Sequence, residues 1–215
     1  MKKAFTILEL VFVILVIGIL ASIIVSNTKR EVLYEAATQL IDDIRYTQHL
    51  AMIDDKFSNS DASWYKKRWS LRFNKDDYSN QEEAYTIFAD IAGTSTGLAN
   101  FSEVARNPQN PEFVLSGGIT GESKLDIRQS IFEGTKKMNL GLSYDISSVV
   151  IGGGCNSKNI AFDHLGRPID GRLNAYTTAY KAGKLIESRC TITLNSPEGS
   201  VVIAIEPETG YAHIL

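Results

Sequence analysis

Proline is scarce and comes late in this chain: five residues in 215, the first of them Pro108. Nothing before that point breaks a helix through a missing N–H donor or a ring clash. Histidine is also sparse. His49, His164 and His213 include no two that stand four apart, so no histidine pair has metal-ligand spacing. No Gly-x-Ser-x-Gly element is present to carry a nucleophile. Gly152-Gly153-Gly154 runs into Cys155-Asn156-Ser157-Lys158, and Gly183-Lys184 into Leu185, so neither ends in the Gly-Lys-Ser/Thr that a phosphate loop needs. An excess of basic charge is missing too. There are 22 Lys and Arg against 25 Asp and Glu, a net charge of −3, which gives no general pull on nucleic acid. Lys66-Lys67-Arg68 and Lys136-Lys137 are the basic clusters, and both read as solvated surface. Asp76-Asp77 with Asn80, Glu82 and Glu83 offers oxygen ligands, but without the alternation and glycine of a calcium loop. These absences leave no catalytic constellation, no cofactor motif and no metal site to assign. They point away from an enzyme.

What the chain does have is an apolar run at its start. Phe5 to Val25 holds one ionisable residue, Glu9, and no proline. As a helix rising about 1.5 Å per residue it covers about 30 Å, the thickness of a bilayer hydrocarbon core. Such a segment belongs in lipid, is cleaved off, or packs against copies of itself. A carboxylate near the end of a membrane helix costs several kcal/mol unless it pairs or neutralises, and a cleavable secretory signal has no use for one. A plain signal anchor, with Glu9 reaching back to the interface, is the simpler alternative.

Lys2-Lys3-Ala4-Phe5-Thr6-Ile7-Leu8-Glu9-Leu10, followed by the apolar run, resembles the N-terminus of type IV prepilins and of the pseudopilins of type II secretion. The resemblance implies a leader of residues 1–4, cut between Ala4 and Phe5 by prepilin peptidase, with N-methylation of the new Phe5 amine. It puts Glu9 at the fifth mature position, where the family uses a glutamate in assembly. Ala4 stands where the family usually has Gly, and alanine is small enough for the cut. Loss of Lys2 and Lys3 leaves 20 basic against 25 acidic side chains.

Past Val25 no glycine or proline stops the helix. Val32, Ala36, Leu40 and Ile44 recur at helical spacing, while Glu31, Glu35, Asp42 and Asp43 mark a polar face. One helix over 5–57 is expected, apolar all round in 5–25 and amphipathic beyond; two helices hinged near Asn27 are the alternative. Residues 58–215 then form a β-rich head. Trp69, Leu71 and Phe73 alternate with polar residues, as do Tyr85, Ile87 and Ala89, which predicts half-buried antiparallel strands. Weaker strands are expected at 113–115 and 125–127, a clear one through Met138, Leu140 and Leu142, and a short buried one at 149–151. Ala92 to Pro111 reads as a surface loop. Ile160–Phe162 leads into the turn Asp163–Pro168. Cys190–Leu194, Val201–Ile205 and Tyr211–Ile214, joined by Pro/Gly turns of four residues, predict a meander.

The fold class is therefore α+β, a long N-terminal helix packed on an antiparallel sheet or β-sandwich. The stretch Ile160–Pro168 resembles a strand-turn of the H-type minor pseudopilins, and that likeness implies a sandwich-like head. Cys155 and Cys190 read as a disulfide in an exported head and as two buried thiols in a cytosolic one. The family resemblance implies a structural subunit with no cofactor: a single-pass inner-membrane protein, head in the periplasm, that assembles into a filament. Its implied partners are other pilin or pseudopilin subunits, prepilin peptidase and the inner-membrane assembly platform. A DNA-binding minor pilin or a signal-anchored extracytoplasmic protein of other function are the alternatives; the acidic balance argues against nucleic acid.

Overall fold

The computed structural model describes residues 7–91 and 96–215, without the side chains of 21–30. It is an α+β protein. Helix α1, Ile7–Ile53, is one unbroken helix of 47 residues, about 70 Å long, with no hinge at Asn27. It stops four residues before the expected end. Asp54 accepts from Trp69 Nε1 at 2.9 Å and pairs with Lys56, and Asp55 accepts from the Phe57 N–H at 3.1 Å. These local side-chain bonds offer the backbone an alternative to another helical turn.

Eight strands follow: β1 Ser70–Asn74, β2 Ala84–Phe88, β3 Ser148–Gly153, β4 Asn159–Phe162, β5 Pro168–Asp170, β6 Cys190–Ser196, β7 Gly199–Ile205 and β8 Ala212–Ile214. They form two four-stranded antiparallel sheets, one ordered β2-β1-β4-β5 and the other β3-β6-β7-β8. Helix α1 touches strands of both. Its Leu33, Ala36, Ala37, Leu40, Ile41 and Ile44 are buried in one cluster with Leu71 and Phe162 of the first sheet and Ile192 and Ile203 of the second. The two sheets thus share the helix as a common core element.

The expected meander is present. β6 pairs with β7 from Cys190↔Ile205 to Ser196↔Gly199, and β7 with β8 through Ile203↔Ile214. Its first turn is the expected four-residue turn Ser196–Gly199: the pair Ser196↔Gly199 closes it, with Pro197 and Glu198 at the tip. The structure joins Cys155 to Cys190 in a disulfide at the end of β3 and the start of β6, both side chains fully buried.

Several expectations are corrected. Residues 138–142 are not a strand. Lys136–Met138 is a 3-10 turn, and Leu140–Tyr144 is a short helix, α2, whose Leu142 N–H donates to the Asn139 side chain at 3.0 Å. Helical spacing buries Leu140 and Tyr144 and leaves Leu142 exposed. Residues 123–125 form a 3-10 turn, and Val114 makes isolated bridges to Arg106 and Gly134 instead of a strand. The polar segment 96–111 is not all surface. Ala99 and Val104 are buried in a second cluster with Phe88, Val114, Ile119 and Leu125; residues 92–95 of the expected loop lie outside the described residues. This cluster covers the outer face of β2, so β2 is buried throughout instead of half-buried, and Thr86 meets Ser116 at 2.8 Å. Conversely, β3 is only half-buried: Val149 is covered and Val150 is exposed.

Candidate assembly interface

The N-terminal stretch of α1 stands apart from the core. Every described side chain from Ile7 to Leu20 is exposed, from 84% at Ile7 down to 37% at Val16, although all but Glu9 and Gly18 are large and apolar. Twelve large apolar side chains within fourteen positions form an apolar surface that no other described residue covers, far beyond the scattered apolar residues of ordinary surfaces. Glu9 lies in the first turn, where the partial positive charge of the helix end favours a carboxylate. Ala4 and Phe5, the expected processing residues, lie outside the described residues. Of the expected span 5–25, side chains are described for 7–20. Among the described residues no helix is long and apolar enough to cross a membrane.

Beyond residue 30 the same helix is fixed to the head by polar bonds as well as by packing. Gln48 Nε2 donates to the carbonyls of Gly166 at 2.8 Å and Thr209 at 2.6 Å, tying the helix to a turn of each sheet. Arg45 Nη2 donates to the Ala212 carbonyl at 2.9 Å, with the guanidinium over the Tyr211 ring. A network that sequence reading missed runs through Gln39, Asp43, Tyr85 and Tyr144. Tyr85 donates to Asp43 Oδ2 at 2.6 Å, Gln39 Nε2 to the Tyr85 oxygen at 2.8 Å, and Tyr144 to Gln39 Oε1 at 2.6 Å. Burial pushes the Asp43 carboxyl up to about 6, against the pull of the Tyr85 hydrogen bond, and burial next to Asp43 raises Tyr85. A cleft of about 350 Å³ opens beside this network, lined in part by Glu35, Asp42, Asn107 and Lys137. The available signal was the i, i+4 pair Gln39 and Asp43 flanking the apolar stripe.

Several of the remaining sequence candidates have structural partners. Asp76 caps a 3-10 turn, accepting from the N–H groups of Tyr78 at 2.9 Å and Ser79 at 3.1 Å, and from Thr120 N at 3.3 Å. Glu83 meets Lys158 at 3.2 Å. Among the described residues no group of three His, Cys, Asp or Glu side chains is placed to hold a metal ion. His213 Nε2 lies 2.9 Å from Glu206 Oε1, which also takes the Arg189 guanidinium at 2.8 Å; His49 and His164 are exposed. In the basic cluster, Lys67 pairs with Asp61 at 2.8 Å and holds that carboxyl down at about 2. Arg68 is buried between the Trp64 and Tyr180 rings and donates to the Ala179 carbonyl at 2.7 Å. Lys137 meets Glu35 at 3.0 Å. A comparison of the chain with family models, with curated proteins and with solved structures finds no match in any of the three.

Proposed function

We propose that this chain is a non-catalytic structural subunit of a type II secretion pseudopilus or a type IV pilus, minor and H-type in character. In this reading its helix is apolar all round in the first half and amphipathic in the second. The first half is held in the inner membrane as a single span until prepilin peptidase cuts between Ala4 and Phe5 and the assembly platform feeds the subunit into a filament. The head then lies in the periplasm, where an oxidising space suits the Cys155–Cys190 bridge. The observation that carries the reading is the length of apolar helix that projects from the head with its side chains exposed. Other subunits and lipid are the surroundings in which such a surface is stable.

Glu9 has a specific role in this reading. Cleavage creates an amine at Phe5, and the carboxylate of one subunit pairs with the amine of its neighbour. Two unit charges about 4 Å apart gain about 4 kcal/mol at an effective dielectric of 20, which offsets much of the cost of a carboxylate in lipid. Processing would thereby switch on the charge match needed for assembly. Mass spectrometry of membrane-extracted protein should find an N-terminal methyl-Phe5; an intact Met1 rejects the assignment. Glu9→Leu should leave insertion, cleavage and folding intact while lowering the filament-to-membrane ratio in cells that express the partner subunits. A ratio equal to that of the parent chain refutes the pairing and favours a signal anchor.

A further inference from the structure

The two sheets have four edges, and three of them are closed. Beside β2, isolated bridges join Thr86 to Ser116 and Phe88 to Val104. Beside β5, the Asp170 N–H donates to the Lys184 carbonyl at 2.8 Å, and the Ile186 N–H donates to the Pro168 carbonyl at 3.0 Å. Strand β8 has three residues, and Arg45 donates to its first carbonyl. Short length, a charged side chain at the edge and coverage by a neighbouring segment are the usual protections against pairing with another chain.

Among the described residues, strand β3 has none of these protections. It is six residues long, reads Ser-Val-Val-Ile-Gly-Gly, and contains no charge and no proline. Its ladder to β6 runs from Ser148↔Asn195 to Gly153↔Cys190, and Gly154 N–H continues it by donating to the Arg189 carbonyl at 2.7 Å. That bond fixes the phase. Residues 148, 150 and 152 turn their main-chain groups towards β6, so Val149 and Ile151 turn theirs to the open edge. Among the described residues, no hydrogen bond outside the ladder reaches the N–H or C=O of either one. Val150, on the outer face between them, is 53% exposed.

We infer that β3 is a docking edge for β3 of a second copy of this chain, antiparallel and centred on Val150. The register follows from the strand itself. Gly153 leaves extended backbone at φ 69°, so the pairing uses residues 148–152. Within them, a two-fold axis at Val150 sets Val149 opposite the second copy's Ile151 and Ile151 opposite its Val149. The outward N–H and C=O groups are then all matched. The same axis puts the two exposed Val150 side chains face to face at a non-hydrogen-bonded pair, the closest approach an antiparallel ladder allows. Ser148 falls opposite Gly152, so no bulky side chain opposes another there. The absence of charge along the strand removes the repulsion that would otherwise oppose self-pairing. The interface is isologous, joining one patch to itself, and closes at two copies. It lies in the head and does not depend on the filament reading.

The test is sedimentation velocity on the full chain in detergent, over a range of protein concentrations. The parent chain should show a monomer–dimer equilibrium. Val150→Lys sets two like charges directly opposite and should raise the dimer Kd at least about tenfold. Ile151→Pro deletes an outward N–H while sparing the bonds to β6, and should act in the same direction. Val150→Cys should give a covalent dimer under copper–phenanthroline, with Ser148→Cys, two residues off the axis, giving far less. A parent chain that is monomeric throughout overturns the inference. So does a dimer that Val150→Lys and Ile151→Pro leave unweakened, since it must form elsewhere, for example through the apolar start of α1. An intact Cys155–Cys190 bridge and unchanged near-ultraviolet circular dichroism show that the variants are folded.

Discussion

The two ends of α1 have the same secondary structure and opposite surroundings. From Ile7 to Leu20 the described side chains are nearly all apolar and all exposed. From Leu33 to Ala51 the apolar residues other than Tyr34 keep to one stripe, and that stripe is buried against both sheets. The difference shows that hydrophobicity alone does not bring a helix into the core of its own chain. A stripe can be covered by one flat neighbour while polar side chains on the other face stay in water. A helix that is apolar on every side has no face to leave in water, and the sheets of one small head cannot surround it. Among the described residues, nothing in the head covers it.

Substitutions can break this contrast, and the largest effect is expected in the stripe. Leu40 is fully buried, so Leu40→Ala should cost about 2–5 kcal/mol of head stability through lost transfer energy and a residual cavity. Denaturant unfolding followed by tryptophan fluorescence measures it; a cost below about 1 kcal/mol would mean that the helix is not a core element. The next effect is in the head. Cys155 and Cys190 close a separation of 35 residues, and removing the bridge by a double Ala substitution should cost about 3–4 kcal/mol in the chain-entropy description. The same unfolding measurement checks it.

A smaller effect concerns Asp43, at the seam of helix and head. Its folded value of about 6 lies above its ordinary 3.8, so between these two values the folded state binds more protons than the unfolded chain. Stability from this group is therefore full below about pH 4, falls as pH rises through about 6, and is level above that. The loss is about 1–3 kcal/mol. Asp43→Asn keeps an acceptor for Tyr85 and cannot ionise, so its stability should fall less than that of the parent between pH 4 and pH 7. Parallel curves for the two proteins would refute the assignment. The smallest effect should come from the exposed end of the helix. Ile14 is 61% exposed, and Ile14→Ala should change the unfolding free energy of the head by no more than about 0.5 kcal/mol. A large loss there would mean that the segment packs on the head after all.

The sequence determined the features that depend on near neighbours in the chain. The continuous helix was legible because no proline or glycine interrupts the stripe from Val32 to Ile44. The β6–β8 meander was legible because alternation and Pro/Gly turns are both local signals. The alternation Met138-x-Leu140-x-Leu142 misled, since five residues are too few to separate a period of two from one helical turn. The Asn139 side chain, by capping the turn, decided for the helix. The segment 96–111 misled because its polar composition hides small residues such as Ala99 and Val104, which are buried only by a cluster with Phe88, Val114, Ile119 and Leu125 from other segments. Tertiary structure alone decided three further things. It brought Asp43 to Tyr85 and Gln39 to Tyr144 across 42 and 105 residues of chain. It placed both sheets on one helix stripe. It also closed three sheet edges and, among the described residues, left β3 open. Each of these depends on which distant segments come to lie side by side, and a pattern read along one segment holds no information about the partner that will cover it.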